Sequence, residues 1–361
     1  MAFEVHISYE VEPDMWNKAL LENKNSLTYQ THNWQIVFQQ VYDSKPFFIY
    51  VSNNSGCIVG QLAGVIHKKW LWRDSNTFTK IIGNKLGLGS IIHWFYGPII
   101  HDKKNQEEIM DLILNAVEEV AVNNDVLMIR GTSPPLEEDL SISCFKKQKY
   151  EFENGSTFII DLSVGIDNLY NSLKKDTRYY IRQSEKLGLT FEVVKSRDSY
   201  QEFQELKMNA FKLEGRRPSD NPTTHFDKHW ELLYKDGLEQ LFVARKDGKN
   251  MGGILTLKFQ KHMIQHALVN SPEMDLVGMF LTWNTIKWAM ENGYETFDFA
   301  GVNPNPQTQK EKGIYFYASK WGGKLYSYYD CKKFLNKKKY RLSYGIKHPK
   351  TVKKFFRSNV K

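Results

Sequence analysis

Three stretches of the chain bring together residue types that could bind or activate a polar substrate. The first runs Leu173-Lys174-Lys175-Asp176-Thr177-Arg178-Tyr179-Tyr180-Ile181-Arg182. On a helix, Lys174, Arg178 and Arg182 fall at i, i+4 and i+8 and form one cationic stripe. Such a stripe holds phosphates or carboxylates. The pattern equally fits a solvated face with local pairs such as Arg182 with Glu185. The second stretch is Thr296-Phe297-Asp298-Phe299-Ala300-Gly301. A strand there sends Asp298 to the face opposite its two aromatic neighbours. A carboxylate so placed can orient an amine or take its proton. It can also tie down the loop 302–312 by accepting backbone N–H groups. The third stretch runs from Gly313 to Gly323. Trp321-Gly322-Gly323 reads as a turn behind a buried ring, and Lys320 either meets a phosphate or lies on the surface.

His262 and His266 alternate along one strand. His266 should therefore point with Leu268 and Asn270, either toward a cleft or as a satisfied core residue. His225 and His229 stand four apart without an evident third ligand, and no metal site is expected. Cys57, Cys144 and Cys331 are far apart and lack CxxC spacing. They fit a reducing compartment better than a disulfide framework. No nucleophile elbow and no Ser/His/Asp order occurs.

The elements that position these residues follow from periodicity. Helices are expected at 12–24, 33–42 and 105–123, with strands at 46–51, 57–67, 91–96 and 126–130. Residues 70–90 read as a loop. After Pro134-Pro135 the order recurs. A strand is expected at 157–161, one helix at 166–187, and a strand at 189–194. Helices at 198–213 and 223–235 follow, then strands at 240–246, 252–259 and 262–270, a helix at 276–292 and a strand at 296–299. Each half is a mixed α/β sheet carrying helices, duplicated. A chain of 361 residues suits two domains, here 1–155 and 156–330, followed by a tail at 331–361.

The formal net charge of +8 belongs to that tail. Residues 331–361 hold twelve Lys/Arg and no acid, which leaves residues 1–330 at about −4. Lys337, Lys338, Lys339 and Arg341 stand there among Phe334, Tyr340 and Tyr344. The tail could bind nucleic-acid phosphates, lie on an anionic membrane, or be a solvated end. The N-terminus lacks the pattern of a signal peptide. The longest apolar stretch, about 86–100, is too short to span a bilayer. The expected place is the cytoplasm, with peripheral contact at the inner face of the membrane left open.

Several motifs together resemble the FemABX family, the non-ribosomal peptidyl transferases within the Gcn5-related acyltransferase (GNAT) superfamily. They are K-x-x-R-x-x-I-R-x-x-E-K-x-G from Lys175, F-D-F-A-G-V from Phe297, and G-I-x-x-Y-x-x-K-W-G-G from Gly313. Gln30-Thr31-His32-Asn33-Trp34 and Tyr96-Gly97-Pro98 are similar to the family's first domain. The resemblance implies two tandem GNAT-like domains. It also implies transfer from aminoacyl-tRNA to an amine of a peptidoglycan-type precursor, nucleotide- or lipid-linked. Lys175, Arg178 and Arg182 match positions that surround the precursor's phosphates. Ala318 stands where the family often carries a lysine, unless Lys320 substitutes, and His101 stands where it tends to carry an acid.

The expected chemistry is direct attack of the amine on an activated carbonyl, with no covalent enzyme intermediate and no cofactor. Asp298 is the candidate for the amine proton. Lys175, Arg178, Arg182, His266, Asn270 and Lys320 are the candidates for substrate binding. An acyl-CoA-dependent N-acyltransferase acting on a nucleotide-sugar or surface-polysaccharide precursor is the alternative. It is weakened because the turn Asp275–Phe280, which would meet the pyrophosphate, offers one glycine. A non-catalytic duplicate that binds RNA or a membrane is the third reading.

Overall fold

The computed structural model describes residues 2–68, 81, 83, 88–135, 141–213 and 222–347. The expected loop 70–90 lies almost wholly outside these residues, as does the end of the tail. Described elements follow one order twice. The first pass is β1 (Phe3–Ser8), α1 (Pro13–Leu21), α2 (His32–Tyr42), β2 (Lys45–Asn53), β3 (Ile58–His67), β4 (Ile91–Trp94), a short β5 (Ile99–Ile100), α3 (Gln106–Asn123), β6 (Met128–Thr132), α4 (Ser141–Lys147) and β7 (Glu151–Asp161). Helices α5 (Ile166–Ser172) and α6 (Lys175–Glu185) intervene. The second pass is β8 (Thr190–Val193), α7 (Arg197–Leu213), α8 (Pro222–His229) with a π-type turn at Trp230–Tyr234, β9 (Glu239–Lys246), β10 (Lys249–Phe259), β11 (His262–Asn270), α9 (Val277–Glu291), β12 (Thr296–Val302), α10 (Gln309–Ser319) and β13 (Lys324–Phe334). Helix α11 (Lys337–Lys347) ends the described chain.

The chain divides into two compact units. Residues 1–25, 29–153 and 329–361 form unit 1, and residues 26–28 and 154–328 form unit 2. The sheet of unit 1 runs β1-β2-β3-β4-β6-β13, with β5 against β3, and that of unit 2 runs β8-β9-β10-β11-β12-β7. In each, one parallel pair, β4 with β6 or β11 with β12, sits among antiparallel neighbours. Each pass thus gives its last strand to the other sheet: β7 pairs with β12 and β13 with β6. The fold is a tandem of two mixed α/β halves.

Unit 1 buries Phe47, Ile49, Leu62 and Ile66 of its sheet against Ile109, Ile113 and Val117 of α3. The helix fits because β3 carries Gly60, where a Cβ would lie 2.4 Å from Ile109. Unit 2 has a core on each sheet face. On one, Ile254, Met263 and Phe297 pack with α5, α6, α9 and α10. On the other, Leu241, Leu255 and Val269 pack with α7 and α8.

The single helix expected over 166–187 is two. Leu173 and Lys174 are extended, at ψ 148 and 152. The Ser172 hydroxyl bonds back to the Leu169 carbonyl at 2.7 Å, a local competitor of helix continuation. Leu173 is buried in the α9 core, and α6 restarts with Asp176 in its first turn, where an acid complements the helix dipole. The tail reading also changes. Lys332 and Lys333 lie in β13, paired with Glu153 at 3.1 Å and with Glu118. α11 is fastened by Ser343, whose hydroxyl donates to the Leu88 carbonyl at 2.8 Å. A run of bases looked like a separate segment because the acids that neutralise its beginning are distant in sequence.

Candidate active site

The parallel pair of unit 2 is joined at only three positions, His262 with Thr296, Met263 with Phe297, and Ile264 with Asp298. β11 then continues to Asn270 and β12 to Val302, each still bonded to its outer neighbour. The inner edges therefore part. Along the gap, peptide N–H and C=O groups lack a strand partner among the described residues. Peptide groups where two parallel strands part can meet a substrate carbonyl and its developing negative charge.

Two irregularities flank the gap. In β11, Leu255 faces Ala267 while Thr256 faces Gln265, so His266 is an inserted residue, a β-bulge. In β12 the register against β7 slips between Asp298 and Gly301, with Ala300 in left-handed backbone at φ 61.

The bulge corrects the orientation expected for His266. Leu268 packs in the α9 core, and Asn270 lies beside Gly278, where a Cβ would sit 2.9 Å from its Nδ2. His266 instead lies on the α7/α8 face with Ala267 and Val269, its half-buried ring stacked near His229 at 5.7 Å. One inserted residue shifts the alternation by one.

Asp298 is on the same face. Phe297 and Phe299 belong to the opposite core, as expected. Asp298 Oδ1 accepts the Ala300 N–H at 2.8 Å, and the Thr157 hydroxyl lies within bonding reach of both Oδ1 and the Ala300 carbonyl. The carboxylate thus clasps the bulge in β12 and not the loop 302–312. Burial pushes its pKa up to about 6 against those two donors.

The basic candidates lie on the other face of the sheet. With the helix broken at Leu173, Lys174 becomes the N-cap of α6 and leaves the stripe. Lys175, Arg178 and Arg182 then fall at i, i+3 and i+7, so the stripe survives with a different first member. Arg182 is exposed and Arg178 half-buried. Arg182 Nη1 donates to the Tyr170 hydroxyl at 3.2 Å. Lys320 is half-buried, its Nζ 4.6 Å from the centroid of the Tyr317 ring. Burial lowers its pKa, and Asp176 opposes that shift. Ala318 is in the α9 core, and Lys320 is the half-buried C-cap of α10. The Tyr317 hydroxyl bonds Thr282 Oγ1 at 2.5 Å and the Gly278 carbonyl at 3.2 Å.

α9 begins after Leu276, at φ 63, with no side-chain cap. Its first N–H groups are therefore open to a ligand, but Asn270 and Tyr317 crowd the same turn. Seven predicted residues are thus divided by one sheet. Asp298 and His266 are on the α7/α8 face. Asn270, Lys320, Lys175, Arg178 and Arg182 are on or beside the α6/α9/α10 face.

A second polar group was not foreseen. Glu239, at the start of β9, is fully buried. Tyr200 donates to its Oε1 at 2.5 Å and His229 Nδ1 lies 2.6 Å from Oε2. His225 stacks on His229 at 4.2 Å. The His225/His229 spacing was visible in sequence, but Glu239, ten residues on, was hidden at the edge of an apolar strand. Among the described residues no group of three or more His, Cys, Asp or Glu could hold a metal ion.

In unit 1 the family-like motifs are structural. Buried Gln30 accepts the Ala63 N–H at 2.9 Å and donates to the Phe95 carbonyl at 2.6 Å. His101 pairs with Gln61 at 3.0 Å. On α11, Lys337 meets Glu151 at 3.1 Å. Lys338, Lys339 and Arg341 are exposed beside exposed Leu342 and Tyr344. No described helix is long and apolar enough to cross a membrane.

This site belongs to an acyltransferase type of domain. Residues 171–309 match the family model of the acetyltransferase (GNAT) domain. The duplicated element order gives the chain an α/β fold of two tandem GNAT-like domains. More particularly, the chain has the fold of FemX, as the FemABX resemblance implied. The FemX crystal structure superimposes with a TM-score of 0.74 at 16% identity, covering 95% of this chain and 99% of that one. L-PGS from Bacillus licheniformis follows with a TM-score of 0.57 at 12% identity over 93% and 97%. A tandem GNAT protein from the clavulanic acid biosynthesis pathway gives 0.56 at 11% over 92% and 98%. No curated protein matches the chain by sequence.

Proposed function

We propose that this chain moves an aminoacyl group from aminoacyl-tRNA to an amine of a peptidoglycan-type cell-wall precursor. The observation that carries the reading is the parted β11–β12 pair, whose strands separate beside His266 and Asp298. An ester carbonyl in that gap meets donors for its oxyanion, and an amine can reach it from the α7/α8 face. The donor is already activated, so positioning and oxyanion stabilisation supply the catalysis. Lys175, Arg178 and Arg182 hold the phosphates of a nucleotide- or lipid-linked precursor. Lys338, Lys339 and Arg341 give α11 a basic surface for the tRNA backbone, whose binding would weaken steeply with salt. Binding of α11 to anionic vesicles in place of tRNA would assign that surface to the membrane instead. Likeness to FemX over nearly the whole chain supports this reading.

One observation favours an acyl-CoA donor, acting on a nucleotide-sugar or surface-polysaccharide precursor. The uncapped start of α9 is a place for a pyrophosphate. Asn270 and Tyr317 crowding the same turn favour the aminoacyl donor. The test is thermal stability with acetyl-CoA, with total aminoacylated tRNA and with a UDP-linked muramyl peptide, followed by transfer of radiolabelled amino acid. Stabilisation by the last two, with transfer, is expected. Stabilisation by acetyl-CoA alone would move the assignment to the acyl-CoA enzyme.

A further inference from the structure

The buried Tyr200–Glu239–His229 group lies on the sheet face that carries His266, and it needs a reason to exist. A carboxylate, a phenol and imidazoles placed inside an aromatic core cost stability unless they are used or fully paired. Phe203, Phe226 and Trp230 surround them in this core. Glu239 is at 0% exposure with both oxygens bonded, so its position is fixed from two sides. His229, bonded to Glu239, stacks on His225 and lies near His266. Lys207 of α7 completes the surrounding charges, adding its field to Glu239, His229 and His266. The groups facing this cluster are therefore Tyr200 and Lys207 from α7, His225 and His229 from α8, Glu239 from β9 and His266 from β11.

His266 is the member placed to meet a substrate. The β11 bulge turns it onto this face two residues after Ile264, the last residue of β11 that pairs with β12. Asp298, the other candidate on the face, has Oδ1 committed to the Ala300 N–H and the Thr157 hydroxyl. Resting on the acyl-transfer reading above, we propose that His266 accepts the proton released by the attacking amine, and that Glu239, fixed by Tyr200 and His229, is the buried counter-charge that stabilises it there.

The step balances without a further reagent. The amine lone pair forms the C–N bond, and the C–O bond of the donor ester (C–S for a thioester) breaks. The ammonium proton goes to the His266 imidazole and then to the leaving oxygen or sulfur. Burial keeps the free imidazole neutral, with its pKa lowered to about 3, so its lone pair is available at neutral pH. Glu239 is pushed the other way, to about 7, so it carries its charge from neutral pH upward. His266 is then a catalytic residue, and Glu239, His229 and Tyr200 are positioning residues that act through it.

The test uses the full chain labelled with carbon-13 and nitrogen-15 in histidine, and it has two readouts. His266→Gln should lower kcat for aminoacyl transfer by about 10²–10⁴-fold with KM nearly unchanged. Glu239→Gln, which keeps shape and removes charge, should lower kcat roughly tenfold. Tyr200→Phe removes one donor to the carboxylate, so the acidic limb of the kcat/KM profile should move to higher pH. A merely structural role would not move that limb. Independently of activity, the His266 ring resonances of the parent chain should shift as Glu239 ionises near pH 7, and that shift should be absent in Glu239→Gln, because the carboxylate charge acts on the imidazole. A folded His266→Gln variant with kcat within twofold of the parent would overturn the proposal. So would a His266 ring response near pH 7 that is the same with and without the Glu239 carboxylate. A parent chain that transfers nothing from either donor fails the acyl-transfer reading, and the titration still decides whether Glu239 sets the charge of His266.

Discussion

The two units build the same parallel pair in opposite ways. In unit 1, β4 and β6 pair along the whole of β4, from Ile91 with Met128 to Trp94 with Gly131. The fourth position is filled by a ring. Trp94 lies so close over Gly131 that a Cβ there would meet it at 1.9 Å, and its indole N–H donates to the Gly97 carbonyl at 3.0 Å. In unit 2 the pairing stops after three positions. The corresponding fourth residues are Gln265 and Phe299, which do not pair. One pair is closed by a ring, and the other parts beside titratable groups. A duplicated fold can thus keep one copy as a support and leave the other as the place for chemistry, and the distinction rests on a few residues per copy.

The largest expected effect tests whether unit 1 is plugged. Trp94→Ala should cost about 3–5 kcal/mol, the range for a buried large ring removed from a packed core, read as the urea midpoint. Gln265→Ala, at the matching position of unit 2, should cost below about 1 kcal/mol, within the range of changes that leave no cavity. Its Oε1 is buried without a hydrogen-bond partner, so its removal loses no bond there. Equal costs at the two positions would end the contrast between a closed and an open pair.

The next test concerns the basic stripe on α6 of unit 2. Replacing both Arg178 and Arg182 by Ala should raise the KM for a phosphate-bearing acceptor about 100-fold, the loss of two charge-assisted contacts. Midpoints of thermal unfolding should move little, because Arg182 is exposed and Arg178 is only half-buried. Steady-state kinetics with a UDP-linked muramyl peptide would show it, and an unchanged KM would remove α6 from the site.

How much of this was legible in sequence depends on the range of each cue. The repeat, the inner strands of both sheets and the face of Asp298 follow from local periodicity, whereas the edge strand β1 and the returning strand β13 were not expected. Three features are not local. The break at Leu173 needs the Ser172 hydroxyl and a core to bury Leu173. The bulge at His266 is one residue of register between β10 and β11, invisible to a period-2 pattern that it interrupts. The Glu239 cluster joins α7, α8, β9 and β11, of which only the His225/His229 spacing could be seen. The role of Trp94 as a plug likewise depends on Gly131, 37 positions away. Local chemistry marked the candidates, and long-range register decided which of them share a face.

The units should also differ toward acid. In unit 1, burial pulls His93 down to about 3, with Arg130 adding to it. His93 is neutral when folded and takes a proton when unfolded below its ordinary 6.5, so stability falls as pH drops from 6.5 toward 3. His229 and His266 act in the same direction in unit 2. Glu239 and Asp298 oppose them there, since their pKa values are raised to about 7 and about 6. Their stabilisation is present at low pH and is lost as pH rises through those values. Between pH 6.5 and 5 the protection of β9–β11 from hydrogen exchange should fall less than that of β3 and β4. A steeper fall in β9–β11 would mean that the buried carboxyls are not held protonated.

The smallest expected effect separates a clasp from a base. Asp298→Asn keeps an Oδ1 able to accept from Ala300 and Thr157, so the bulge in β12 should stand. Because the folded carboxyl favours its proton, the parent loses stability as pH rises through about 6. The variant has no such loss and should equal or exceed the parent in midpoint at pH 8, while at pH 5 the two should be close. If His266 takes the amine proton, kcat should fall by less than about fivefold, well short of the roughly 10²–10⁴-fold that removal of a general base costs. A fall of that larger size with an intact pH 8 midpoint would move the base from β11 to β12. The open pair of unit 2 would then owe its chemistry to the bulge that Asp298 closes, and not to the one that turns His266.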